Sequence, residues 1–125
     1  MYHNISPAIS LAPAARTANE AGAAVDLAGF YGALVVIETG AITDGTHTFE
    51  LQESADGSNW APVADTDLLG TEPVVKAGDE NKVFSVGYLG DKRYIRVAVN
   101  VSDASNGGVY SAVVLRGFPR HAPVA

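Results

Sequence analysis

The sequence predicts an all-β protein: an antiparallel β-sandwich or jelly roll of about seven or eight strands, carrying an extended N-terminal arm. Three observations lead there. Short apolar runs are separated by turn residues at intervals of roughly 8–12 positions. The clearest runs alternate apolar and polar side chains, the period of a half-buried strand. No segment keeps a helical period for longer than about two turns.

Residues 1–20 read as the arm. Pro7 and Pro13 break any helix, and the small residues between them offer little to pack, while Tyr2, Ile5, Ile9 and Leu11 supply anchors for a neighbouring subunit. On this reading, deleting residues 1–20 leaves a folded domain. The Ala-rich stretch 12–24 has room for a helical turn or two. The β-domain then spans 21–117, starting with a candidate strand at 23–27 closed by Gly29. Ala33–Thr39 is apolar on both faces and predicts a central strand covered on both sides. Asp44-Gly45 is a turn signal, and in 46–54 Phe49 and Leu51 point one way while Thr48, Glu50 and Gln52 point the other, so 33–54 reads as a hairpin. Residues 55–59 (Ala-Asp-Gly-Ser-Asn) form a second turn, followed by a short edge strand at 60–63 containing Pro62. An acidic connection over 64–81 holds one short strand at 74–76. Residues 82–88 form a strand ended by Gly90-Asp91. In 92–101, Ile95, Val97, Val99 and Val101 share one face, and Tyr94, Arg96, Ala98 and Asn100 share the other. After a polar turn, 109–116 returns with Val113 and Leu115 expected inward. The proline-bearing tail 118–125 is expected to stay out of the sheet interior.

A chain of 125 residues can bury one sizeable core. It has no cysteine, which removes disulfides, thiol nucleophiles and thiolate metal sites. No apolar run approaches the ~20 residues of a membrane-spanning helix, and the N-terminus lacks the basic-then-apolar pattern of a signal peptide, so export is not expected. The net charge of −6 argues against nucleic acid as a partner. Arg16 is the only base before residue 76, against ten acids (−9), whereas seven bases face four acids from Lys76 onward (+3). Either the two segments interleave and neutralise, or they form a bipolar surface that docks on copies of the chain or on another partner.

Catalytic chemistry finds little footing. His3 and His121 lie in the tails, His47 begins a strand and is expected at its rim, and no Gly-x-Ser-x-Gly elbow is present. Glu38, Glu50 and Glu53 read as solvent-face residues rather than paired glycosidase carboxylates. Asp56-Gly57-Ser58-Asn59 and Asp65-Thr66-Asp67 lack calcium-loop spacing. The sequons at Asn4 and Asn100 read as accidental. No enzyme, metal or cofactor is expected. Lys92, Arg93, Tyr94 and Arg96 make one basic–aromatic cluster, suited either to an anionic partner, best an acidic patch on a neighbouring subunit, or to a solvated strand face paired with nearby acids. Trp60, Tyr88, Tyr94 and Tyr110 suit either core plugs or a carbohydrate platform.

Residues 49–63 (Phe-Glu-Leu-Gln-Glu-Ser-Ala-Asp-Gly-Ser-Asn-Trp-Ala-Pro-Val), 86–97 (Val-Gly-Tyr-Leu-Gly-Asp-Lys-Arg-Tyr-Ile-Arg-Val) and 117–123 (Gly-Phe-Pro-Arg-His-Ala-Pro) resemble small proteins encoded among the head genes of tailed bacteriophages and prophages. The resemblance covers roughly residues 30–123 and carries no catalytic signature. It implies a virion protein made in the host bacterial cytoplasm and placed on the capsid surface. There it would act as a decoration or cement protein, contacting the major capsid protein and copies of itself as a homotrimer, with neither nucleic acid nor membrane. A head-completion or tail protein and a glycan-binding module are the alternatives. Residues expected at inter-subunit contacts are Tyr2, Ile5, Ile9, Leu11, Lys92, Arg93, Arg96, Phe118 and Arg120.

Overall fold

A computed structural model describes residues 5–119, with side chains described as far as Gly117. The chain forms a β-sandwich. Its strands are β1 (Ile5–Arg16), β2 (Glu20–Ala21), β3 (Val25–Asp26), β4 (Phe30–Ile42), β5 (Thr46–Ser54), β6 (Ala61–Pro62), β7 (Leu68–Leu69), β8 (Val74–Val75), β9 (Val83–Tyr88), β10 (Tyr94–Ser102) and β11 (Gly108–Pro119). Six of these are long, and the other five are two-residue pairings, which is why the count exceeds the expected seven or eight. One sheet has the order β1-β11-β4-β9-β7. The other has β2-β10-β5-β6, with β3 also on β10 and β8 also on β5. Every pairing is antiparallel.

The alternation read in 46–54 and 92–101 is realised as one continuous ladder from Tyr94↔Ser54 to Ser102↔Thr46. It buries Phe49, Leu51, Ile95, Val97 and Val99 against Val35, Ile37, Tyr88, Ala112 and Val114 of the other sheet. Each fully buried aliphatic side chain of this kind contributes about 1.5–3 kcal/mol relative to exposure.

The supposed hairpin over 33–54 does not form. β4 lies in the five-stranded sheet and β5 in the six-stranded one, so the Asp44-Gly45 turn carries the chain from one layer to the other. A local turn signal cannot distinguish the two outcomes; the tertiary contacts of Asp44 do. Its carboxylate accepts the backbone N–H groups of Ser105 (3.0 Å), Asn106 (3.1 Å) and Gly107 (2.7 Å). The Thr43 N–H donates to the Gly107 carbonyl at 2.9 Å. The β4–β5 crossing is thus knitted to the β10–β11 crossing at one end of the sandwich. Gly107 sits at φ +77°, and a Cβ there would overlap the Arg16 carbonyl oxygen, so the join requires glycine.

Residues 5–16 are part of the body, contrary to the expected arm. They pair with β11 from Ile5↔Gly117 to Arg16↔Gly108. The prolines are accommodated because β1 is an edge strand, where a missing N–H need cost no ladder bond. A register shift between Ile9 and Leu11 turns both Ser10 and Leu11 inward. Leu11 is fully buried. Ser10 Oγ donates to the Ala23 carbonyl and accepts the Val97 N–H, each at 2.9 Å, tying the sheets together. The chain then crosses to β2 and β3 on the six-stranded sheet, and no helix forms over 12–24. The boundary at 117 also moves: β11 continues to Pro119, opposite Phe30. Residues 120–125 of the expected tail lie outside the described residues.

Candidate functional site

Ionisable groups in the interior are consumed by structural bonds. His47, expected at a rim, is fully buried. Its Nε2 lies 3.0 Å from the Asp44 carbonyl, which can only accept, so Nε2 carries the proton. Its Nδ1 is hydrogen-bonded to the Tyr110 hydroxyl at 2.8 Å. Burial pushes the Tyr110 phenol up to about 12. Arg16, also buried, donates to the carbonyls of Ala12 (2.7 Å), Ala14 (3.2 Å) and Tyr110 (2.9 Å), bonds Glu20 at 3.1 Å and lies 5.3 Å over the Tyr110 ring. Every buried side-chain polar atom among the described residues has a partner. Such a closed network fixes the packing.

The loops tell a similar story. Asp56 accepts the N–H groups of Ser58 (2.8 Å) and Asn59 (2.9 Å), the Asn59 amide (2.8 Å) and the Ser54 hydroxyl (2.9 Å), which hold its carboxyl far below the usual range. It is a turn clasp. Among the described residues no three His, Asp or Glu side chains gather in a geometry for a metal ion, and no helix is long and apolar enough to cross a membrane.

The basic–aromatic cluster is divided. Arg93 forms a two-point ion pair with Asp26 (3.1 and 3.0 Å) and lies over Tyr94. It is the one ion pair of three among the described residues that joins the early acidic segment to the late basic one. Arg96 sits 4.3 Å from the Trp60 ring centroid and donates to Gln52 at 2.7 Å. Lys92 is exposed beside a shallow depression of about 310 Å³ between Phe30–Gly32 and Gly90–Arg93. The four aromatics form no platform: Tyr88 and Tyr110 are buried, and the Trp60 ring carries Arg96. Burial, with a 2.7 Å hydrogen bond donated to Glu53, pushes the Tyr88 phenol well above its usual value.

What stands out is the outer face of the five-stranded sheet. Tyr110, Ala112 and Val114 point inward, so Val113 and Leu115, expected in the core, point outward. The phase was ambiguous because 113–115 is apolar at every position. Reading across the sheet from β1 to β7, one outward row is Pro7, Leu115, Leu34, Gly87 and Leu69. The next is Ile9, Val113, Val36 and Ser85. Leu34 is 40% exposed, Ile9 56%, Leu69 60% and Val83 67%. At one end, Gly117 and Gly32 face each other across strands and floor an apolar groove of about 720 Å³ bounded by Ile5, Tyr31, Leu34, Leu89 and Leu115. A Cβ at Gly117 would meet nothing within 4 Å.

The opposite outer face has the usual chemistry of a wet sheet. Thr48, Glu50 and Gln52 of β5 face Asn100, Ala98 and Arg96 of β10. One side of the sandwich is built for water and the other is not. No family model and no curated protein matches this chain.

Of the residues expected at contacts, Ile5 and Ile9 lie on the apolar face, and Lys92, Arg93 and Arg96 are on the surface as described. Leu11 is corrected: a fully buried side chain packed in the core cannot meet a neighbouring subunit without unfolding. Phe118 belongs to β11 without a described side chain, and Tyr2 and Arg120 lie outside the described residues. Sequence reasoning missed Leu34, Val36, Leu69, Val113 and Leu115. The signal was present in Ala33–Ile37, apolar on both faces, but a covering layer within the same chain was assumed.

Proposed function

We propose that this protein is a non-enzymatic structural component of a tailed-phage virion, a capsid decoration protein that binds the head surface together with copies of itself and stabilises it through inter-subunit contacts. The observation that carries this reading is the two-faced sandwich, with one polar sheet face and one apolar face left uncovered by residues 5–119. Exposed apolar surface of this extent marks an association site. The resemblance of 49–63, 86–97 and 117–123 to phage head proteins supplies the assembly, and with it the expectation of a trimer on the capsid surface and of the major capsid protein as the partner.

The test is reconstitution. Purified protein is added to heads that lack it, and the particles are imaged. Density at fixed points of the capsid lattice, with heads that withstand more heat or chelator, supports decoration. A ring at the head–tail junction or in the tail replaces it with the head-completion or tail alternative. No binding to heads, accompanied by glycan binding, replaces it with the module reading.

A further inference from the structure

The apolar face needs an occupant, and the chain itself is the best candidate. We infer that the outer face of the five-stranded sheet is where one copy of this protein packs against a second, so that the protein is self-associated before it meets any other virion component.

Size favours this. With strands about 4.8 Å apart and about 3.3 Å of length per residue, residues 5–9 of β1, 109–117 of β11, 32–40 of β4, 83–88 of β9 and 68–69 of β7 give a face of roughly 500 Å² per copy. Two such faces together reach about 1,000 Å², the area at which a specific interface becomes sustainable. Charge favours it as well. Each copy carries −6 overall, so two copies repel unless they meet where acids are scarce. Among the outward positions of β4, β7, β9, β11 and the Ile5–Ile9 part of β1, Glu38 is the only charged residue, and it sits at the margin beside Val83 and Ser111. Timing favours it too, because an apolar face this large needs cover from synthesis onward, and another copy is the partner always at hand. Shape completes the case: Leu34, Val36, Val113 and Leu115 stand as ridges next to the groove over Gly32 and Gly117, which accepts apolar side chains of the facing copy.

Light scattering on the purified full chain over a dilution series tests the inference. The wild type should weigh twice 12.9 kDa or a higher multiple. Leu34→Glu and Val113→Glu should each fall to the 12.9 kDa monomer with the β-spectrum retained, while Thr48→Glu on the opposite face stays assembled. Should either Glu variant fail to fold, Leu115→Thr takes its place, with a dissociation constant weakened at least tenfold, about 1.4 kcal/mol. A wild type that is monomeric throughout overturns the inference, as does an assembly that survives these substitutions. The inference rests on the surface-acting reading above but fails separately from it. A monomer that still occupies heads overturns self-association alone, and an assembled protein that binds no head overturns the capsid reading alone.

Discussion

Replacing Leu11 with alanine tests whether the N-terminal segment belongs to the fold. Leu11 is fully buried, sits opposite Ala112 across the β1–β11 ladder, and belongs to the core shared by both sheets. Leu→Ala at such sites costs about 2.7–5 kcal/mol, the transfer term plus a cavity term that shrinks where neighbours can relax. β1 is an edge strand and has some freedom to settle inward, which places the expected loss near 3 kcal/mol. Against a total stability of roughly 6–15 kcal/mol for a chain of this size, that is a large share. It should lower the midpoint temperature by about 10 °C or more. Urea unfolding followed by far-ultraviolet circular dichroism reads the change, with protein concentration held constant because self-association couples to stability. Thr48→Ala, exposed on the opposite face, serves as the control and should stay within about 0.5 kcal/mol of wild type. A Leu11→Ala loss below about 1 kcal/mol would refute the integration of residues 5–16 into the core.

Three further outcomes follow from the same contacts. Deletion of residues 1–20 should abolish the cooperative unfolding transition, because it removes β1, Ser10 and Leu11 together; a truncated chain that melts normally would show the strand to be dispensable. Arg16→Lys should cost about 2–3 kcal/mol by denaturant melt, since an ammonium cannot reproduce the guanidinium fork that reaches three backbone carbonyls and Glu20, and buried acceptors are left unpaired. Partial burial raises the Glu72 carboxyl above its ordinary value, although it accepts the Leu51 N–H. The folded state therefore holds that proton more tightly than the unfolded state, and this contribution fades as pH rises from the ordinary carboxylate range through the folded value. Glu72→Gln should flatten that slope and raise stability at neutral pH relative to wild type; an unchanged pH profile would contradict it.

The strands best read from sequence were those whose alternation is clean. β5 has the bounds its pattern predicted, and β10 presents Ile95, Val97 and Val99 inward as its spacing requires. His47 was misplaced at a rim, although its shared parity with Phe49 and Leu51 points it into the core, where it is fully buried. β1 was hidden because its prolines and alanines carry little β-signal and its bulge breaks the alternation at Ser10 and Leu11. The layer change at Asp44-Gly45 was hidden because pairing between sheets is a property of distant segments. The candidate site was half legible: the two-sided apolarity of Ala33–Ile37 marked β4 as central, but only the sheet order shows that its outer side has no cover in the described chain.

The absence of cysteine allows a single thiol to report on the apolar face. Ser85 and Thr48 are both exposed, on the outer faces of the five-stranded and six-stranded sheets respectively. Maleimide labelling of Ser85→Cys should be several-fold slower than that of Thr48→Cys in the native protein, and the two rates should converge when Leu34→Glu is added. Equal labelling of the two thiols in the native protein would mean that the apolar face stands open to water, and the association reading would fall.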